Sequence, residues 1–321
     1  MIDVIAAGLQ STIQDLGRTG HRHLGVGTAG ALDTYSLRVA NLLVGNAEGA
    51  PALEITLQGP RLRFRRPVRI AITGADIDAQ VDGVAIPGWR PVDLPSGCEL
   101  VLGPCRRGAR AYLAVAGGMA VESILGSAGT DLRAGFGGFE GRALVVGDAI
   151  APGAKAAIRV DVDAPAIASW WIDPHPDLDF AQAPAVRVLP GHDALVPNDA
   201  LFAQDWRVTA QSNRQGLRLQ GESLQLVVTG DRLSEPVAPG TVQLPPDGQP
   251  IVLLAEAQTI GGYPRIGHVI AADLPRLAQL RPGEALRFAA VDPVEAHTLA
   301  CAQRHRLTRI ALAIEQRRRD G

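Results

Sequence analysis

Three short stretches of this chain set arginines, amides and hydroxyls beside glycines, which are the groups needed to hold a small carbonyl acid. STIQDLGRTG (11–20) carries Gln14, Asp15 and Arg18, and QSNRQGLRL (211–219) carries Ser212, Asn213, Arg214 and Arg218. AEAQTIGGYPRIG (255–267) carries Glu256, Gln258, Thr259 and Tyr263 around Gly261 and Gly262. A guanidinium grips a carboxylate through two parallel hydrogen bonds, and amides, hydroxyls and bared backbone N–H groups stabilise charge developing on a carbonyl oxygen. Arg18, Arg214 and Arg218 are therefore the candidates for carboxylate binding, with Gln243 as a further substrate-binding amide. Gln258, Thr259 and the Gly261-Gly262 backbone are the candidates for carbonyl polarisation, Tyr263 for a wall or lid, and Asn213 for a further catalytic group. Each cluster also has a plainer meaning: Gly-Gly-Tyr-Pro makes a tight turn, and Asn213-Arg214 can cap a strand and pair on the surface.

Other signatures point away from familiar chemistries. The chain has no P-loop, no G-x-S-x-G elbow, no H-E-x-x-H and no dinucleotide fingerprint between a strand and a helix. AGFGGFEG (134–141) is glycine-rich, but no convincing helix follows to complete a phosphate cradle. His21 and His23 would share one face of a strand, yet no third ligand completes a metal site, so no metal is assigned. His192 and His268 sit beside glycines and titrate in the range useful for acid–base work.

Many short strands must position these groups. Glycine (36) and proline (23) are abundant and aromatics only 4%, a balance that favours strands joined by turns. Strand-like runs are MIDVIAAG, ALEITLQG, LRFRRPVRIAITG, AQVDGVAI, CELVLGP, RAYLAVAGG and RALVVGD in the first half. VRVLPG, WRVTAQS, LRLQGESL, LVVTG, GTVQLPPDGQPIVLLAEAQ and LRFAAV follow in the second. DTYSLRVANLLVGN reads as a helix with Asp33 as N-cap and Gly45 as stop. Residues 151–184, dense in Pro, Ala and Asp, read as a connection, dividing the chain into units 1–183 and 184–321. Asp292, Pro293 and Glu295 open a long terminal helix whose Leu299, Leu307, Ile310, Leu312 and Ile314 suggest a packing face. A formal net charge of -2 argues against nucleic acid or an anionic membrane as a partner recognised by bulk charge. Three cysteines with no C-x-x-C pair, no leader-like N-terminus and no long apolar run fit a cytoplasmic protein.

The ordered blocks TIQDLGRTGHRHLGV, GALDTYSLRVANLLVGN, ALEITLQGP, LGSAGTDLRAGFGGFEGRAL and GTVQLPPDGQPIVLLAEAQTIGGYPRIGHVIAADL resemble the biotin-dependent carboxyltransferase family nearly end to end. That family includes the C-type subunits of 5-oxoprolinase and the allophanate hydrolase subunit 2 domain of urea carboxylase. The resemblance implies a mainly β chain of two cyclophilin-like β-barrel units with a few short helices and the long C-terminal helix. It implies a B-type partner, similar to allophanate hydrolase subunit 1, and a third subunit; together the three open 5-oxoproline to glutamate at the expense of ATP. The same resemblance allows carboxyl transfer from carboxybiotin to urea or another small amide, or a non-enzymatic role antagonising a kinase inhibitor. Family members commonly carry Asp where this chain has Asn213, Met at Gln215, Asp at Glu256 and Thr at Ile260. The sole lysine, Lys155, lies in GAKAA and lacks the methionine neighbours of a biotin acceptor, so biotin is not carried by this chain.

Overall fold

Alternation governs the first half: along Arg61–Phe64, Leu62 and Phe64 are buried while Arg61 and Arg63 face solvent, as a strand with one wet face requires. The computed structural model describes residues 1–153, 160–174, 178, 185–227 and 233–320. Ten strands build one sheet: β1 (Ile2–Ala6), β2 (Gln10–Gln14), β3 (Ala52–Thr56), β4 (Arg61–Phe64) and β5 (Val68–Val81), then β6 (Val84–Ala85), β7 (Pro91–Leu94), β8 (Glu99–Val115), β9 (Ala149–Ile150) and β10 (Ala166–Ile167). They run in the order β10-β7-β5-β8-β4-β1-β9, with β2 joined through β3 to β8 and β6 joined to β5. CELVLGP and RAYLAVAGG, expected as separate strands, are one 17-residue strand. β5 and β8 pair along most of their length, and register shifts between Gly74 and Ala79 bend them so that both can serve two sides of the core. Gly74 is required at that bend, because its φ is +82° and a Cβ would lie 2.3 Å from the Arg110 carbonyl oxygen. RALVVGD forms no strand of its own: Arg142 pairs with Asp148, which also accepts the Val145 N–H, and the segment becomes a turn.

The second half closes on itself. β11 (Ala185–Pro190), β13 (Asp205–Val208), β14 (Gly216–Gln220), β17 (Thr241–Gln243), β18 (Ile251–Leu253), β20 (Arg265–Val269) and β21 (Ala285–Ala290) form a barrel in the order β11-β20-β17-β18-β14-β13-β21. Parallel pairing of β11 with β21 shuts it. Trp206, Phe288, Val186, Val242 and Val252 fill the interior, and the Trp206 indole N–H donates to the Leu201 carbonyl. Two small hairpins flank it, β12 (Leu195–Val196) with β15 (Gln225–Leu226) and β16 (Glu235–Pro236) with β19 (Ile260–Gly261). The chain is thus mainly β, with only three α-helices among the described residues.

α1 (Thr34–Leu43) starts where Asp33 accepts the Ser36 N–H at 2.9 Å, and Gly45, at φ +79°, follows its end. Its buried Leu37, Ala40 and Leu43 pack with Leu307 and Ile314 of α3 (Pro293–Asp320). Leu312 does not join that face: it is 61% exposed, the long helix offering only part of its circumference to the body. α2 (Leu274–Ala278) lies against the first sheet through Gln279, whose side-chain oxygen accepts the Ala109 and Arg110 N–H groups. The division between 183 and 184 and the Lys155 reading both lie outside the described residues. Part of the expected connection is instead structural: Ala166–Ile167 pairs with β7, and Trp170, Ile172 and Leu178 join the core around α1.

Candidate functional site

The loop from Leu16 to Ala31, between β2 and α1, lies in the seam between the two halves. On one side Asp15 holds the 124–141 loop, accepting from the Ser127 hydroxyl and the Ala128 N–H, both at 2.6 Å. On the other side the Ala29 N–H and the Thr28 hydroxyl both donate to the Ala255 carbonyl. Arg18 is buried to 1% exposure, donates to the Gly129 carbonyl at 2.6 Å and stacks over the Phe136 ring at 4.5 Å, while its Nη1 has no partner. Burial depresses its proton affinity, and the fields of Asp131, Asp15 and Glu256 oppose that shift. Arg18 therefore supports the loop from inside.

Arg214 is saturated. Its Nε donates to Glu256 at 2.5 Å, its Nη2 to the Gly30 carbonyl at 2.6 Å, and its Nη1 to Glu54 on β3 of the other half. All three side chains are buried. Glu54 is itself occupied: its second oxygen accepts the Leu32 N–H and the Tyr112 hydroxyl. Burial disfavours the charged guanidinium, but Glu54 and Glu256 more than offset this and raise its proton affinity. As folded, Arg214 is a cross-seam tie, with each nitrogen already engaged.

The amides do come together. Gln258 donates through Nε2 to Oε1 of buried Gln243 at 3.3 Å, and the Gln243 Nε2 is sealed in without a partner. Gly261 faces that nitrogen so closely that a Cβ would stand 2.7 Å from it. Neither Gly261 nor Gly262 adopts a positive φ, so close approach, not backbone freedom, accounts for Gly261. Thr259 extends the turn, its carbonyl accepting the Val237 N–H at 3.0 Å. Beside it stands Arg22, whose Nη2 donates to the Gln258 carbonyl at 3.1 Å and to the Val237 carbonyl, and whose Nη1 is buried with no partner. Burial alone lowers the Arg22 proton affinity, with no acid countering it. A partly desolvated cation near one unpaired amide donor, the Gln243 Nε2, can receive an anionic carbonyl compound.

The other candidates lie apart. Arg218 and Tyr263 line an open groove of about 780 Å³ with Ile251 and Gln249. Asn213 turns its oxygen to the Gln215 N–H at 2.8 Å and borders a smaller cavity below. Histidines 21 and 23 do not share a strand face, because Arg22–Leu24 is a 3-10 turn. His268 lies on β20 with its pKa lowered by burial and its Nδ1 3.5 Å from the Thr241 hydroxyl. Among the described residues no three His, Cys, Asp or Glu side chains gather as a metal site demands.

Residues 24–290 match the model of the carboxyltransferase domain, subdomain A and B. The chain belongs to that family. Among its relatives, the 5-oxoprolinase C-type subunit of Escherichia coli is 41% identical over 293 residues, 90% of each chain. The corresponding 5-oxoprolinase chain of Haemophilus influenzae is 37% identical, covering 93% of this chain and 94% of that one. The solved urea carboxylase of Kluyveromyces lactis superposes with a TM-score of 0.88 at 28% identity, covering 96% of this chain but 29% of that one. The structure of TTHA0988 gives a TM-score of 0.76 at 37% identity, over 90% of this chain and 55% of that one. Arg18 and Arg22 precede the matched segment, whereas the Gln243–Gln258 pair lies inside it.

For this family member, sequence reasoning missed Arg22. It stands between His21 and His23, which the sequence reading weighs as a metal pair and sets aside without considering the arginine between them; the signal that marks it is an arginine without an acid near it in sequence.

Proposed function

We propose that this chain is the C-type subunit of an ATP-dependent 5-oxoprolinase, acting with a B-type partner and a third subunit to convert 5-oxo-L-proline to L-glutamate in the cytoplasm. The observation that carries this reading is the two-way coverage: the match to the Escherichia coli 5-oxoprolinase chain spans 90% of both proteins. By contrast the yeast urea amidolyase match, at 30% identity, takes up 16% of that protein. The TTHA0988 chain extends well beyond the part matched here, which supports a second unit working beside this one.

In the reaction, a resonance-stabilised lactam must be activated before water opens it. ATP supplies that activation by transferring its terminal phosphoryl group to the lactam oxygen with ADP leaving. One water adds to the carbonyl carbon, the ring C–N bond breaks as its nitrogen takes up a proton, and a second water hydrolyses the resulting acyl phosphate to the glutamate carboxylate and inorganic phosphate. Arg22 holds the substrate carboxylate, while the Gln243 and Gln258 amides and the backbone at Gly261 steady the lactam oxygen. Thr259 fixes the turn that presents them. ATP is assigned to the assembled complex: the 134–141 loop is followed by a turn, not by a helix N-terminus.

The deciding assay assembles this chain with its partners and measures glutamate released from 5-oxoproline. Release that requires ATP and no bicarbonate supports the reading. A requirement for bicarbonate and a biotin-carrier protein, with urea consumed, would establish the carboxyltransferase alternative that the urea carboxylase superposition favours.

A further inference from the structure

A cavity of about 90 Å³ lies in the seam away from the Arg22 amides, walled by Thr56 and Arg110 of the first sheet and by Asn213, Leu217, Leu254, Leu277 and Leu280 of the second half, among others. Thr56 and Arg110 are directly opposed in the antiparallel pairing of β3 with β8, so their side chains share one face. Among the described residues the Arg110 guanidinium makes one hydrogen bond, a 3.4 Å contact to the carbonyl of its own neighbour Ala109, and its Nε is sealed from solvent without a partner. Glu54 is near enough to feel its charge, but both Glu54 oxygens are engaged by Arg214, Tyr112 and Leu32. An unmet guanidinium fork against a leucine wall asks for a planar oxyanion with a short apolar end.

We propose that this cavity binds a short-chain carboxylate, with its oxygens on Arg110 and the Thr56 hydroxyl and its alkyl end against Leu217, Leu254, Leu277 and Leu280. Size limits the class. At about 90 Å³ the cavity is the small one of the seam, and its size suits acetate or propionate. Since both halves line the cavity, occupancy also fastens the seam. The site is independent of the catalytic reading above.

The test follows thermal unfolding of the intact chain with sodium acetate, propionate, bicarbonate or chloride at one ionic strength. Acetate and propionate should raise the midpoint saturably, propionate at lower concentration because it buries one more methylene. The rise should vanish in Arg110→Met and persist in Arg22→Met. Thr56→Val keeps the shape of the site and should weaken acetate about tenfold, the loss of one hydrogen bond to a charged group. An equal rise with chloride, tighter binding of bicarbonate than of propionate, or an acetate response retained in Arg110→Met would each overturn the proposal. Should Arg110→Met fail to fold, acetate titration of Thr56→Val by NMR decides, and unchanged affinity there overturns it.

Discussion

Two arginines at the same seam behave oppositely. Arg214 is fully buried and each of its nitrogens donates, two of them to buried carboxylates from different halves of the chain. Arg22, in a surface turn, is half-buried, satisfies two carbonyls and leaves one nitrogen unmet, with no acid compensating its charge. The first arrangement is complete without a ligand, while the second is incomplete without one. Between these two arginines saturation marks the difference; Arg18, which also leaves Nη1 unmet, is set apart from Arg22 by its complete burial within its own loop.

The contrast breaks most visibly at Arg214. Arg214→Met leaves Glu54 and Glu256 buried and unpaired, and should lower unfolding stability by about 3–5 kcal/mol in urea titrations. Next is Asp33, joined to the same region through Gln279 and Tyr112, whose carboxyl is pushed up to about 6, chiefly by burial, with Ser36 and Gln279 hydrogen bonds opposing. Between pH 4 and 6, roughly, the folded chain keeps a proton that the unfolded chain has lost. Its contribution to stability is therefore full below that window and declines by about 3 kcal/mol as pH rises through it. Asp33→Asn should flatten this part of the pH profile.

Arg22→Met sharpens the comparison from the other side. In the assembled complex kcat/KM for 5-oxoproline should fall about a hundredfold, near 2.7 kcal/mol, with folding stability unchanged or slightly higher. A stability loss like that of Arg214→Met would erase the distinction between the two arginines. Gly261→Ala, which sets a methyl against the Gln243 amide, should cost about tenfold in kcat/KM with little change in the unfolding midpoint. Arg218→Ala should be the mildest, about threefold at most in KM, because Arg218 projects from the outer face of β14 into an open groove.

Local signals were legible in the chain. α1 with its Asp33 cap, the Asp292-Pro293-Glu295 opening of α3 and the alternating strands all depend on neighbours within a few residues. β8 was not read whole because Gly103, Pro104 and Gly108 look like breaks; bulges paired with β5 absorb them. Nor could the closure of the second barrel, made by parallel pairing of β11 with β21, be seen in either strand alone. Of the candidate site residues, Gln243, Gln258 and Gly261 do meet in the structure. Arg214 was expected at a substrate because its partner Glu54 stands 160 residues away, a distance no local motif spans. Asn213 and Arg218 share its stretch, yet the turn and the strand pleat send them to different surfaces.

Gln279 has a mechanical meaning. Its amide oxygen takes the N–H groups of Ala109 and Arg110 while its nitrogen donates to the Arg110 carbonyl and to Asp33, so one side chain imitates the peptide unit of an absent neighbouring strand. The second half is riveted to the first sheet at that point, and a hinge between them would have to strip four hydrogen bonds from a sealed position. That corner of the seam is therefore a fixed joint, about which the two halves keep one register.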